Sequence, residues 1–152
     1  MSDITLARES PRQAKMAGLL EALDAYQTAL YPPESNHFLD VQALAAPNVR
    51  FFVARRGARA VGCGALRIDD AGYGELKRMF VIPEARGLRL GRRLLERIED
   101  EARREGLAWL RLETGIHQPE ALALYRTAGY VEREAFGEYR PDPLSVFMEK
   151  RL

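Results

Sequence analysis

Ile4 to Arg8 alternates apolar and polar side chains, the period of a half-buried strand. Ser10-Pro11-Arg12-Gln13 then has the spacing of a capping box with proline at the first helical position, so a helix is expected from there through Met16, Leu19, Leu20, Leu23 and Leu30. Tyr31-Pro32-Pro33 stops it, because a residue preceding proline is pushed out of the helical region. Glu34 to Pro47 reads as a loop with a short helix around Asp40 to Leu44. From Asn48 the period changes: Val49 to Ala54, Ala60 to Ile68 and Glu75 to Val81 are β-rich runs, separated by the turn signals Arg56-Gly57 and Asp69-Asp70-Ala71-Gly72. An antiparallel meander is the expected result.

Leu90 to Glu105 returns to helical spacing, with Leu94, Leu95, Ile98 and Ala102 on one face and Gly106 as the expected C-terminal cap. Leu107 to Thr114 follows as a strand, and a strand, helix, strand order predicts a right-handed parallel crossover. Pro119 to Ala128 reads as a short helix closed by Gly129, and Tyr130 to Phe136 and Leu144 to Arg151 as the last two strands, joined through Pro141 and Pro143. Neither a repeat nor a low-complexity linker interrupts this order, so a single domain spanning 1–152 with a mixed α/β fold is expected.

Composition narrows the function. The 152 residues carry 23 basic and 22 acidic side chains, a net charge of +1, which argues against a nucleic-acid coat. No apolar run is long enough for a membrane span and the first residues lack a signal-peptide core, so a cytoplasmic protein without membrane contact is expected. A single cysteine, Cys63, allows no internal disulfide, and His37 and His117 have no ligand partners at metal-binding spacing, so no metal site is expected. Cys63 lies in Val61-Gly62-Cys63-Gly64, where a small buried thiol is the default and a nucleophile the exception.

The charge is unevenly placed. Among the basic residues only Lys15, Lys77 and Lys150 are lysines, and residues 86–93 hold four arginines and no acid. Cations at a helix start oppose its dipole, whereas a polyanion bound there reverses the sign. Exposed N–H groups of a first helical turn, glycines that admit a ligand, and flanking guanidinium groups make a phosphate site; the alternative is a solvated arginine-rich helix start. The chain has neither a G-x-x-x-x-G-K-S/T loop nor a G-x-G-x-x-G fingerprint.

Arg86-Gly87-Leu88-Arg89-Leu90-Gly91, preceded by Leu76 to Pro83 and followed by Arg92 and Leu94-Leu95, resembles the Q/R-x-x-G-x-G/A motif of the GNAT superfamily of acetyl-CoA-dependent N-acetyltransferases. Arg89 stands where that motif usually has glycine. The resemblance spans essentially the whole chain in element order. It implies a mostly antiparallel twisted sheet of about seven strands, a parallel pair splayed around the cofactor, and about four flanking helices. It further implies that Arg86, Gly87, Leu88, Arg89, Leu90, Gly91 and Arg92 bind the pyrophosphate of coenzyme A. Met79, Phe80 and Val81 would pair through their main chain with the pantetheine arm, a role that suits the open edge of a splayed strand.

Ala121 to Tyr130 resembles the family's second signature, A-x-x-L-Y-x-x-x-G-F/Y. By that resemblance Tyr125 protonates the departing thiolate, a role open to a phenol that stays protonated at neutral pH. Read from spacing alone, Tyr125 is instead a core residue on the face formed with Ala121, Leu124 and Ala128. Gln118, seven residues earlier, stands where the family often has asparagine and is expected to reach the pantetheine.

An amine nucleophile must lose a proton, so a base is needed. Glu75, eleven residues ahead of Arg86, matches a position at which family members carry a glutamate base; it is otherwise a strand-edge charge. Glu113, near the C-terminal end of the crossover strand where ligand crevices open, is the rival. His117 lies in the turn beyond it, and Tyr31, Glu34, Asn36 and His37 form a polar loop in a region that often shapes the acceptor pocket in the family. The expected activity is direct transfer of acetyl from acetyl-CoA to a primary amine of a small molecule or peptide, because no activated serine or cysteine is evident. A homodimer is plausible by resemblance alone. The other reading is a non-catalytic acyl-CoA-binding module that senses the cofactor or regulates a partner.

Overall fold

A computed structural model describes residues 4–30 and 41–152 of the chain. In chain order the elements are β1 (Ile4–Arg8), α1 (Ala14–Leu30), α2 (Val41–Leu44), β2 (Val49–Arg56), β3 (Arg59–Ile68), β4 (Gly74–Val81), α3 (Leu90–Arg104), β5 (Trp109–Gly115), α4 (Pro119–Thr127), β6 (Val131–Arg133) and β7 (Ser145–Arg151). A 3-10 turn, Pro83–Ala85, lies between β4 and α3. The strands form one seven-stranded sheet in the order β1-β2-β3-β4-β5-β7-β6, in which only the β4/β5 pair is parallel. The expected meander, crossover and sheet are therefore all present.

Local chemistry explains the joints. Asp69 accepts from the Ala71 N–H at 2.8 Å, and Gly72, at φ +91°, closes the β3/β4 turn by donating to the Asp69 carbonyl. At the end of α3, Gly106 (φ +79°) donates to Arg103 O and Leu107 to Ala102 O, the paired bonds of a Schellman cap. That cap uses Leu107 as its last donor, so β5 starts at Trp109 rather than at the expected Leu107. The same cap closes α4, where Gly129 donates to Arg126 O and Tyr130 to Tyr125 O.

Two further elements differ from expectation. The helix starts at Ala14, not Pro11, because Ser10 Oγ accepts from Arg12 N at 3.2 Å while Gln13 Nε2 returns to Ser10 O and Glu9 Oε1; these bonds make a turn ahead of the helix. The strand expected over Tyr130 to Phe136 is only Val131–Arg133. Phe136 instead leaves the ladder to pack edge-on against Tyr73 and Phe147, in a small cluster separate from the main core.

The main core joins Met16, Leu19, Leu20 and Leu23 of α1 to Phe51, Phe52, Leu66 and Leu76 of the sheet and to Leu90, Leu94, Leu95, Ile98 and Ala102 of α3. Burying each of these leucines contributes roughly 2 kcal/mol. Glycines on β3 let the α3 layer approach closely: a Cβ at Gly64 would stand 2.9 Å from Ile98 Cδ1 and 3.3 Å from Met79 Sδ.

Candidate active site

β4 and β5 are in register over only three pairs, Gly74 with Leu110, Glu75 with Arg111 and Leu76 with Leu112. Beyond them the strands separate. The cause lies on β4, where Arg78 adopts φ +57° and the β3/β4 register shifts between Cys63 and Ala65. Such a bulge bends a strand and re-aims its side chains. A cleft of about 490 Å³ fills the separation, with Lys77 to Val81 on one wall and Glu113 to Gly115 on the other. The β4 edge that faces it pairs with β3 on its far side but not with β5, so its main-chain groups point to the opening.

One end of the cleft is the start of α3. Arg86 caps the 3-10 turn, Gly87 takes φ +91°, and Arg89 occupies the N-cap at φ +59°, ψ 28°. An arginine thus holds the left-handed conformation that a glycine adopts without strain, at a cost of roughly 1 kcal/mol. No side chain caps the helix and its first turn contains no acid. Its opening N–H groups have no intrahelical acceptor, which leaves them for an anion. Arg86, Gly87, Arg89, Leu90, Gly91 and Arg92 line the cleft, whereas Leu88 and Arg93 are exposed and lie off it. Arg86 stacks 5.8 Å from the Tyr26 ring centroid, and Arg92 pairs with Glu96 at 3.0 Å. A Cβ at Gly91 would meet Leu124 at 3.2 Å, so a glycine here lets α4 close against the phosphate loop. These features fit a polyphosphate.

The other end is built from α4, β5 and the start of β7. Tyr125 is 5% exposed and lines the cleft. Burial pushes its phenol well above the ordinary tyrosine range, so it remains a proton donor throughout the neutral range. The α4 cap places Tyr130 edge-on to it with ring centroids 5.8 Å apart. Tyr130 in turn donates to buried Glu99 on α3 at 2.8 Å, and Lys150 donates to the same carboxylate at 3.2 Å. Tyr125 is both core and cleft, which joins the two readings of its spacing.

Gln118 lines the cleft from the N-cap position of α4, and Glu113 lines it from β5, its Oε2 accepting from Ser145 Oγ at 2.7 Å. Glu75 is placed differently. Strand alternation turns its side chain to the sheet face opposite Leu76, it is 2% exposed, and it does not line the cleft. Arg67 contacts Oε1 at 3.1 Å, and Tyr139 donates to Oε2 at 2.5 Å. Lys77 links this network to the cleft wall, donating to Tyr139 Oη at 2.6 Å and standing 3.5 Å from Glu75 Oε2.

His117 is exposed in the turn after β5 and does not line the cleft. Tyr31, Glu34, Asn36 and His37 lie outside the described residues. Cys63 is buried, its thiol pushed up to about 12 by desolvation, which makes it a poor nucleophile. Among the described residues no group of three or more His, Cys, Asp or Glu side chains is placed to hold a metal ion, and no helix is long and apolar enough to cross a membrane. Sequence reasoning did not single out Tyr26, Lys77, Arg78 or Ser145 as cleft residues. The pair Lys77-Arg78 just ahead of Met79 was a visible signal; Tyr26 and Ser145 enter through tertiary packing alone.

Residues 16–130 match the model of the acetyltransferase (GNAT) family. The chain is 60% identical to an IAA acetyltransferase of Azospirillum brasilense, with all of both proteins covered. It is 40% identical to the N-acetyltransferase YsnE of Bacillus subtilis over 82% of this chain and 84% of that one. A crystal structure of a Klebsiella pneumoniae protein described as an acyl-CoA N-acyltransferase superimposes with a TM-score of 0.83 at 42% identity, covering 98% of this chain and 97% of that one. Splayed strands, arginine-rich helix start, buried tyrosine and these matches converge: the chain belongs to the GNAT family of acetyltransferases.

Proposed function

We propose that the protein transfers an acetyl group from acetyl-CoA to a primary amine by direct attack within a ternary complex. The observation that carries this reading is one continuous cleft, with a cationic helix start at one end and a buried phenol and a carboxylate at the other. Acetyl-CoA supplies an acyl group activated as a thioester. Arg86, Arg89 and Arg92, with the first-turn N–H groups of α3, hold its pyrophosphate, and the open edge of Met79 to Val81 pairs with the amides of its pantetheine arm. Gln118 supports that arm from the facing wall.

Glu113 is assigned as the base because it lines the cleft, whereas Glu75, on the same sheet face, is 2% exposed, does not line the cleft and is engaged by Arg67 and Tyr139. The ammonium proton passes to Glu113, the amine nitrogen forms the C–N bond, the C–S bond breaks as Tyr125 gives its proton to the sulfur, and the nitrogen's second proton returns the tyrosinate to the phenol. Glu75 orders the wall through Tyr139 and Lys77. A reducing cytosolic setting suits both the single buried thiol and an acyl-CoA substrate.

The test is acetyl-CoA consumption across a panel of amines, read by thiol release. Amine-dependent release supports transfer. Tight coenzyme A binding with no release for any amine class would instead leave a cofactor-binding module.

A further inference from the structure

Arg78 is unusual in two ways. A bulky side chain sits on a backbone at φ +57°, and that side chain is only 5% exposed although the residue lines the cleft. The kink is braced by Cys63 Sγ, which donates to Arg78 O at 3.2 Å. Burying a guanidinium is costly, and an apolar residue would pack here more cheaply, so the charge calls for an anion. Asp24 of α1 supplies one through Arg78 Nη1, yet that carboxylate side chain is 43% exposed and sits on a separate element. Glu113, backed by Ser145, faces the cleft from the opposite wall. The cleft therefore presents cations on β4 and a carboxylate on β5 in addition to the arginines of the α3 start.

Resting on the acetyl-transfer reading above, we propose that the acceptor is a small amino carboxylate, its carboxylate held by Arg78 in place of Asp24 while its ammonium group faces Glu113. A planar guanidinium fork matches a carboxylate in two parallel hydrogen bonds, which a point charge such as Lys77 does not. Asp24 is then the stand-in that neutralises Arg78 before the acceptor arrives.

The experiment measures kcat/KM for matched pairs, each an amino acid and its decarboxylated amine, with small, aliphatic and aromatic side chains. The amino carboxylate is expected to be favoured about tenfold or more in at least one pair. Arg78→Met is expected to raise KM for that acceptor by about tenfold, without raising KM for the decarboxylated amine and without changing coenzyme A affinity by calorimetry. Asp24→Asn moves the other way, lowering KM for the amino carboxylate by removing its competitor, and it decides the matter if Arg78→Met does not fold. Decarboxylated amines used as well as or better than their partners would overturn the proposal while leaving acetyl transfer standing; so would an Asp24→Asn variant with unchanged KM. Turnover of other amines but of none of these pairs would overturn this proposal alone; coenzyme A binding with no turnover of any amine class would bring down both readings.

Discussion

The two ends of the cleft are made in opposite ways. The proposed phosphate end comes from one continuous stretch, Arg86 to Arg92, whose backbone supplies both the turn and the helix start. On the proposed reading the acceptor end is assembled from Arg78, Glu113, Tyr125 and Ser145, with Asp24 behind Arg78, which five different elements bring together. A binding site for a cofactor's invariant phosphates can be local, because a helix terminus is already an anion receptor. A site that must choose an acceptor and move two protons needs groups at fixed angles to each other, which only tertiary packing provides.

This contrast can be broken by substitution, and the acceptor end should show the largest effects. Tyr125→Phe keeps the buried ring and removes the proton donor, so kcat is expected to fall about 100-fold with the acetyl-CoA dissociation constant nearly unchanged. Unaltered turnover on a good acceptor would remove the tyrosine from the chemistry. Glu113→Gln is expected to lower kcat by a similar or somewhat smaller factor, on the order of 10- to 100-fold. Glu75→Gln should instead register as lost stability, of about 1–3 kcal/mol in a denaturant titration, because it removes a buried carboxylate from half-buried Lys77 and leaves Arg67 with Asp69 alone. If Glu75→Gln abolished turnover in a fully folded protein while Glu113→Gln did not, the two carboxylates would exchange roles.

Smaller effects belong to the phosphate end. Arg86→Ala with Arg92→Ala is expected to weaken coenzyme A binding about tenfold, with a shallower dependence of affinity on salt; equal affinity by calorimetry would detach this loop from the cofactor. Arg89→Gly is the finest probe. It relieves a left-handed arginine and should raise stability by a few tenths of a kcal/mol up to roughly 1, while slightly weakening coenzyme A binding. A fall in melting temperature would mean that Arg89 makes contacts worth more than its strain.

Much of the fold was legible because its signals are local. Gly72, Gly106 and Gly129 each take the positive φ their turn or cap needs, and the face from Leu90 to Ala102 has helical period. The arginine-rich start of α3 was legible for the same reason. Arg78 was not: nothing in Glu75-Leu76-Lys77-Arg78-Met79 announces a left-handed residue, since arginine rarely adopts that conformation and the bulge is enforced by β3 and α1. Nor did local spacing reveal that Glu75 is kept out of the cleft; that depends on Arg67 and on Tyr139, 64 residues later, which occupy its carboxylate. The short β6 escaped notice because Tyr130 to Phe136 looks strand-like, while Phe136 gains more from its aromatic partners than from another rung.

The three rungs between β4 and β5 also bear on how the protein endures in a cell. A sheet joined so briefly at its middle is two leaves bound at one end, and a pantetheine arm laid between them would act as the missing binding. Ligand occupancy adds stability as RT ln(1 + [L]/Kd), about 2.7 kcal/mol at a hundredfold excess over Kd. Under the proposed reading, resistance to proteolysis would rise and fall with the cell's acyl-CoA supply, so that starvation thins the enzyme's population as well as its substrate.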